Sequence, residues 1–301
     1  MRLATINTPD GPRLHVRGRS GYVDVADATG NDRYATLQAL LDDGPAGMEA
    51  AQTAVAGEGR EYEERYFGPA VPAPRVIHCL GLNYADHVAE GGRELPTFPN
   101  VFMRSPETVI GPYADLVVPD LTEGYDYEGE VGIVIGAGGR YIPADEAMAA
   151  IAGFTVLNDA SARDWQRAAS QWIPGKNFDG SMPIGPEIVT ADEVDILDTT
   201  LTTRLDGEVM QQARTSQMLI DIPSTVEFYS SFTTLRPGDV IATGTPGGVG
   251  YARNPPVWLE PGSTVEVTVE GLGTIRNRVV AEPGDQSAWR WRPTVTAKPG
   301  L

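Results

Sequence analysis

Short apolar runs recur along the chain, mostly alternating with polar residues and bounded by Gly, Pro, Asn and Ser. That period-2 pattern predicts strands joined by tight turns. In residues 1–70 it predicts strands over 2–6, 13–17 and 22–25, then helices over 33–41 and 48–55. Together these make a small α+β N-terminal domain. A second domain is expected over 71–282, after the break at Pro72-Ala73-Pro74. Its strands are predicted over 76–80, 131–135, 154–157, 199–205, 240–243 and 264–269, and its helices over 145–151, 160–172 and 222–232. Strands dominate, and the helices lack the regular alternation of a doubly wound sheet, so the fold class is α+β. Residues 283–301 read as an irregular C-terminal tail.

Composition narrows the function classes. The 301 residues are 41% hydrophobic, enough to bury a sizeable core, and the 34 glycines and 24 prolines follow no repeat. The longest nearly apolar stretch, residues 147–157, is far short of the ~20 residues of a membrane span. Residues 1–10 carry no apolar signal core, so a cytoplasmic protein is expected. A net charge of −18 repels phosphate backbones and anionic lipid, which excludes nucleic acid and membrane as expected partners. The single Cys79 rules out an internal disulfide and a multi-thiolate zinc site. It lies in an apolar run, the setting of a buried structural thiol. The only histidines are His15, His78 and His87, so a metal here takes oxygen ligands. His15 sits among strand residues, as a structural side chain would.

Chemistry concentrates in a few segments. In Tyr125-Asp126-Tyr127-Glu128-Gly129-Glu130 a strand would point Asp126, Glu128 and Glu130 to one face. Like charges about 7 Å apart near a core repel, and desolvation adds to the cost. A divalent cation offsets both; a charge-blunted edge strand is the other reading. Gly129 leaves the opposite face open for close backbone approach. Asp159, in Asn158-Asp159, is either a third oxygen ligand or a helix cap. Arg163 and Gln166 are i and i+3 on one helix face, placed to hold an anion or to face solvent. His87 and Glu90 are also i and i+3, a carboxylate–imidazole pair able to activate water, with Gly91-Gly92 beside it as a lid hinge; polar surface is the competing reading. Taken singly, Lys176 is a solvated loop lysine and Thr245 a turn residue. The loop over 243–250 lacks the Gly-Lys-Ser/Thr ending of a phosphate cradle.

In chain order, several motifs resemble the fumarylacetoacetate hydrolase family over about residues 75–280. They are Gly81-Leu82-Asn83-Tyr84 with His87 and Glu90, Tyr127-Glu128-Gly129-Glu130, and Asn158-Asp159 with Ser161-Ala162-Arg163-Asp164 and Gln166. Lys176-Asn177-Phe178-Asp179 and Thr243-Gly244-Thr245-Pro246 complete the set. The resemblance implies a mixed β-roll catalytic domain, a homodimer, and Mg²⁺ or Mn²⁺ held by Glu128, Glu130 and Asp159. It gives His87 and Glu90 the water-activating role on a lid, makes Lys176 catalytic, and turns Arg163, Gln166 and Thr245 toward the substrate. Phe102-Met103-Arg104-Ser105-Pro106 puts Arg104 where many members carry lysine, a candidate substrate contact. The implied partner is a small keto acid, and the implied reaction is hydrolysis of a carbon–carbon bond in a 2,4-dioxo (acylpyruvate-like) acid. Lys176 and Gln166 would stabilise the oxyanion left by water attack. Oxaloacetate-type decarboxylation, enol–keto isomerisation and hydration are alternatives on the same site. A non-catalytic ligand-binding module is the alternative of another class, and it would have no need of the His87–Glu90 pair.

Overall fold

The computed structural model describes residues 1–286, 288, 289 and 293; the expected tail over 283–301 lies largely outside them. The chain opens with an antiparallel meander of β1 (Arg2–Thr8), β2 (Gly11–Gly18) and β3 (Gly21–Asp24). Asp24 ends β3 and caps α1 (Val25–Thr29), accepting a hydrogen bond from the Asp27 N–H. The helix expected over 33–41 is interrupted. A 3₁₀ turn (Asp32–Ala35) is followed by extended Thr36, whose side chain caps α2 (Leu37–Asp42). Next comes α3 (Pro45–Ala54), with proline in its first turn, where no N–H is missed.

The remaining elements are β4 (Ile77–Gly81), α4 (Ala85–Glu90), β5 (Asn100–Arg104), β6 (Val109–Ile110), β7 (Leu116–Val118), β8 (Tyr125–Asp126) and β9 (Gly129–Ile135). Then follow β10 (Ile151–Asn158), β11 (Ser161–Ala162), α5 (Arg163–Arg167), α6 (Ile173–Lys176), β12 (Met182–Val189), β13 (Thr200–Leu205) and β14 (Glu208–Arg214). The chain continues with α7 (Ile222–Phe232), β15 (Val240–Ala242), β16 (Thr264–Val269) and β17 (Gly273–Ala281). A ten-stranded sheet runs β3-β2-β1-β12-β10-β9-β15-β4-β5, with β6 added beside β12. A five-stranded sheet runs β14-β13-β16-β17-β7, and neither path closes into a barrel. Because β1 pairs with β12, residues 1–24 share one sheet with the strands that carry the candidate chemistry.

Strand alternation sorts β9 between two cores. Val131, Ile133 and Ile135 pack with Leu201 and Val267 of the small sheet and with Ile222 and Tyr229 of α7. Val134 points the other way, into a cluster with Leu37 and Leu40 of α2 and Ile188 of β12. Each fully buried aliphatic side chain contributes roughly 1.5–3 kcal/mol. The antiparallel pairing of β9 and β10 sets Gly129 opposite Asn158. The start of one strand therefore lies beside the end of the other, and the loops leaving β15 and β4 gather at the same edge, where Asn83 Nδ2 donates to the Thr243 carbonyl (2.8 Å). That edge carries the site.

Candidate active site

Two backbone clamps bring the carboxylates together. The Glu128 N–H donates to Asn158 Oδ1 (2.9 Å), and the Asp159 N–H donates to the Glu128 carbonyl (2.8 Å). As a result, carboxylate oxygens of Glu128, Glu130 and Asp159 all lie within 4.8 Å of one another, and all three residues are buried. Gly129 between them meets the close approach expected of it: a Cβ there would lie 2.2 Å from Thr203 Oγ1 of β13. Asp126 does not share the face of Glu128 and Glu130. The chain leaves strand conformation at Tyr127-Glu128, and Asp126 in β8 pairs instead with β11. Its carboxylate takes the N–H groups of Tyr127, Gly250 and Tyr251 and the Arg163 Nε (2.8 Å).

Cations fill much of this buried space. Arg163 spans Asp126 and Glu128, with Nη1 at 2.5 Å from Glu128 Oε1. Lys176 Nζ bridges Glu128 Oε2 (2.5 Å) and Asp159 Oδ2 (2.7 Å). Its place is set by α6, where Gly175 packs so closely on α5 that a Cβ would stand 2.3 Å from the Gln166 nitrogen. Arg104 reaches Asp159, the Ala160 carbonyl and Ser181 Oγ. It lies behind Asp159 and does not line the cleft, unlike the other expected substrate contacts. Burial works to raise the Glu128 carboxyl, yet Arg163 and Lys176 outweigh it and hold the group down at about 2. Burial also works against the Lys176 charge, and Asp159 and Glu128 overcome it, so the ammonium is held more firmly than usual.

Glu130 differs. Its carboxylate takes the Gly244 N–H (2.8 Å) and forms no ion pair among the described residues. Burial, with Asp159 and Glu128 beside it, raises its carboxyl well above the usual range. Four buried carboxylates thus face three cations, and the unbalanced one belongs to an all-oxygen triad. Hard oxygen donors and surplus negative charge are what a Mg²⁺ or Mn²⁺ ion requires, so the residues fit such an ion.

The opposite wall comes from α4. His87 Nδ1 lies 2.7 Å from Glu90 Oε1, as the i, i+3 spacing predicted, and Glu90 Oε2 takes the Gly248 N–H (2.7 Å). His87, Glu128, Glu130, Arg163, Gln166, Lys176 and Thr245 all line one cleft of about 360 Å³. Gln166 Oε1 accepts from Arg163 Nη1 (3.0 Å), and Thr245 Oγ1 donates to the Gly129 carbonyl (2.9 Å). Gln211, on β14 of the other sheet, braces the floor: its Oε1 accepts from the Gly129 N–H, and its Nε2 donates to Thr245 Oγ1 and the Pro246 carbonyl. The sequence reading missed Gln211 and the cleft residues Arg93, Arg167, Trp172 and Tyr251. Only Arg167 carried a local signal, one helical turn beyond Arg163. Cys79 is fully buried and its thiol pushed up, chiefly by burial; His15 is buried against the Arg13 carbonyl and the Tyr62 hydroxyl.

Comparison with known proteins places this geometry. Residues 76–280 match the family model described as Fumarylacetoacetate (FAA) hydrolase C-terminal. The chain is 40% identical over 288 residues to the mitochondrial oxaloacetate tautomerase FAHD2A of Bos taurus, covering 93% of this chain and 92% of that one. Among solved structures, it resembles a 5-carboxymethyl-2-hydroxymuconate delta-isomerase from Mycobacterium smegmatis (TM-score 0.73, 35% identity, 94% of this chain and 100% of that one). It also resembles a maleylpyruvate hydrolase from Sphingobium (TM-score 0.78, 28% identity, 94% and 100%). Among the described residues no helix is long and apolar enough to cross a membrane. On the match over residues 76–280 and this likeness along almost the whole chain, the protein belongs to the fumarylacetoacetate hydrolase family.

Proposed function

We propose that this chain is a divalent-metal-dependent enzyme that interconverts the enol and keto forms of a 2-oxo acid of the oxaloacetate type. The observation that carries this reading is the buried triad of Glu128, Glu130 and Asp159, of which Glu128 and Glu130 line a cleft that is also lined by His87, the imidazole of a histidine–carboxylate pair. The triad would hold Mg²⁺ or Mn²⁺, and such an ion when bound neutralises the charge that an enolate develops. Arg163 and Gln166 bind and orient the substrate carboxylate from one helix face. Lys176 donates to developing oxygen charge, Thr245 fixes the cleft floor, and Arg104 positions Asp159 without touching substrate. Glu90 takes the Nδ1–H of His87, which leaves Nε2 as the atom that takes a proton from the carbon next to the keto group and returns it. The 40% identity to an oxaloacetate tautomerase supports this reaction over the hydrolysis implied by the sequence motifs.

Carbon–carbon hydrolysis of an acylpyruvate-like acid is the second reading, favoured by the same His87–Glu90 pair, which suits water activation equally well. The test follows two readouts on metal-loaded protein. One is loss of the enol absorbance of oxaloacetate together with deuterium uptake at its methylene; the other is labelled oxygen from water in acids released from a series of 2,4-dioxo acids. Enol–keto catalysis without labelled product is expected. Rapid incorporation of labelled oxygen, with slow enol–keto exchange, would overturn the proposal in favour of hydrolysis. A homodimer also belongs to this reading: β5 is an outer strand and exposes Val101 and Met103, a surface that a second copy would cover. Light scattering of a monomer would remove it.

A further inference from the structure

Side chains along a strand alternate between its two faces, and β14 breaks that rule. It is the outermost strand of the smaller sheet, and Val209 and Gln212 are exposed, yet Met210 and Gln211 between them are both buried. The register gives the reason. Thr203 of β13 stands opposite Gln211 and Arg204 opposite Val209, so Met210 is an extra residue, a β-bulge. A bulge re-aims side chains: Met210 packs in a cluster with Tyr125 and Tyr127, and Gln211 turns to the start of β9. There Gln211 Oε1 accepts from the Gly129 N–H (3.0 Å), and Nε2 donates to Thr245 Oγ1 (2.7 Å) and the Pro246 carbonyl (2.8 Å). A backbone N–H only donates and a carbonyl only accepts, so the amide has one possible orientation, with both N–H protons used. The bulge also supports the loop after β15. Gly248, at a φ of +102°, packs so closely on it that a Cβ would lie 2.1 Å from the Met210 carbonyl oxygen. Arg253 ties the two, donating from Nη2 to the Met210 carbonyl (2.6 Å) and from Nε to the Gly248 carbonyl (3.3 Å). Gly248 is also the residue whose N–H holds Glu90.

We infer that the β14 bulge sets the geometry of the site, and that Gln211 is a positioning residue whose two ends serve separate functions. Oε1 fixes the peptide between Glu128 and Glu130, and so the spacing of two carboxylates of the triad. Nε2 fixes the loop that brings Thr245 to the cleft. Gln211 does not itself line the cleft, so it acts through these groups and not on a ligand. The inference rests on the proposed function for the identity of the metal and the substrate, but not for the hydrogen bonds themselves. Loss of a residue that orients metal ligands in this way costs about 10–100-fold in metal affinity or activity.

The test combines Mn²⁺ calorimetry on metal-free protein with oxaloacetate kinetics at saturating Mn²⁺. Gln211→Met, which removes both ends, should weaken Mn²⁺ binding about 10–100-fold and raise KM. Gln211→Glu keeps the length and the acceptor for Gly129 but loses the donors, so Mn²⁺ affinity should be retained while KM still rises. A side chain that only stabilises the fold would lower the melting temperature and the fraction of protein that binds, and leave the affinity of that fraction unchanged. That result in Gln211→Met, or a loss of Mn²⁺ affinity in Gln211→Glu, would overturn the inference. If Gln211→Met does not fold, Gln211→Glu decides: a raised KM with Mn²⁺ affinity retained supports the two separate functions, and an unchanged KM ends them. If the unaltered protein binds Mn²⁺ but leaves oxaloacetate unchanged, the proposed reaction falls, and the Mn²⁺ affinities of the two variants decide the role of Gln211. Absence of Mn²⁺ binding in the unaltered protein ends both.

Discussion

Two buried histidines nine residues apart in sequence show what separates the interior from the cleft. His78, the second residue of β4, is 5% exposed and lies against the Tyr229 ring at 4.8 Å. Burial alone pushes its pKa down to about 4, so it stays neutral, a polar ring serving as packing. His87, on α4, is 6% exposed, yet Glu90 stands 2.7 Å from its Nδ1 and is itself anchored on the Gly248 N–H. Depth is the same in both places. What differs is a fixed carboxylate on one ring nitrogen and a cleft beside the ring, the setting that the proposed reaction asks of a proton carrier.

That contrast can be broken at several points. The largest effect is expected from removing the ion: chelator-treated protein should lose its activity and regain it with Mg²⁺ or Mn²⁺, and full activity in metal-free protein would contradict the assignment of the triad. His87→Ala should lower the enol–keto rate by ~10²–10⁴, the usual cost of a lost acid–base group, while Mn²⁺ affinity measured by calorimetry stays close to the original. A loss confined to hydrolysis of 2,4-dioxo acids would reassign His87 to water activation. Arg163→Met leaves Asp126 and Glu128 short of their buried partner, and urea unfolding should show a loss of about 3–5 kcal/mol.

The smallest effect belongs to His78. Its folded pKa lies below the unfolded value, so the unfolded chain binds the extra proton between about pH 4 and 6.5, and stability rises with pH across that window. The contribution is fully present above the window and lost below it, at most about 3 kcal/mol. In His78→Phe the fall in unfolding free energy from pH 7 to pH 4 should be shallower by up to that amount. An identical slope in both proteins would mean that His78 does not titrate as its burial requires.

Local pattern carried the parts of this molecule that local forces decide. The prediction of a helix over 222–232 coincides with α7, because Asp221 caps it, Pro223 suits its first turn and one face is apolar. The His87–Glu90 contact and the place of Asp159 beside Glu128 were also legible, since both follow from helix spacing or from a strand end. Long-range pairing decided the rest. β12 contains Pro183, Gly185 and Pro186, which locally spell a turn, yet it lies inside the large sheet between β1 and β10. A register shift between Phe154 and Val156 accommodates it. Similarly, a single helix over 160–172 became β11 and α5, with α6 following at Ile173–Lys176, because Gly175 must return to pack on Gln166. Arg93 reaches the cleft from a loop and Tyr251 from a single 3₁₀ turn (Gly250–Ala252), where sequence spacing says nothing about direction.

Gln211 adds a practical corollary for anyone who would retune this protein. It sits on β14, the outermost strand of the smaller sheet, yet its single amide fastens the Gly129 nitrogen, the Thr245 hydroxyl and the Pro246 carbonyl at once. Libraries restricted to cleft-lining positions would pass over it, although shifting β14 by a fraction of an ångström would move the floor under every ligand. Selection for altered specificity should therefore return substitutions in and beneath that remote strand, and their benefit will be unintelligible from the pocket wall alone.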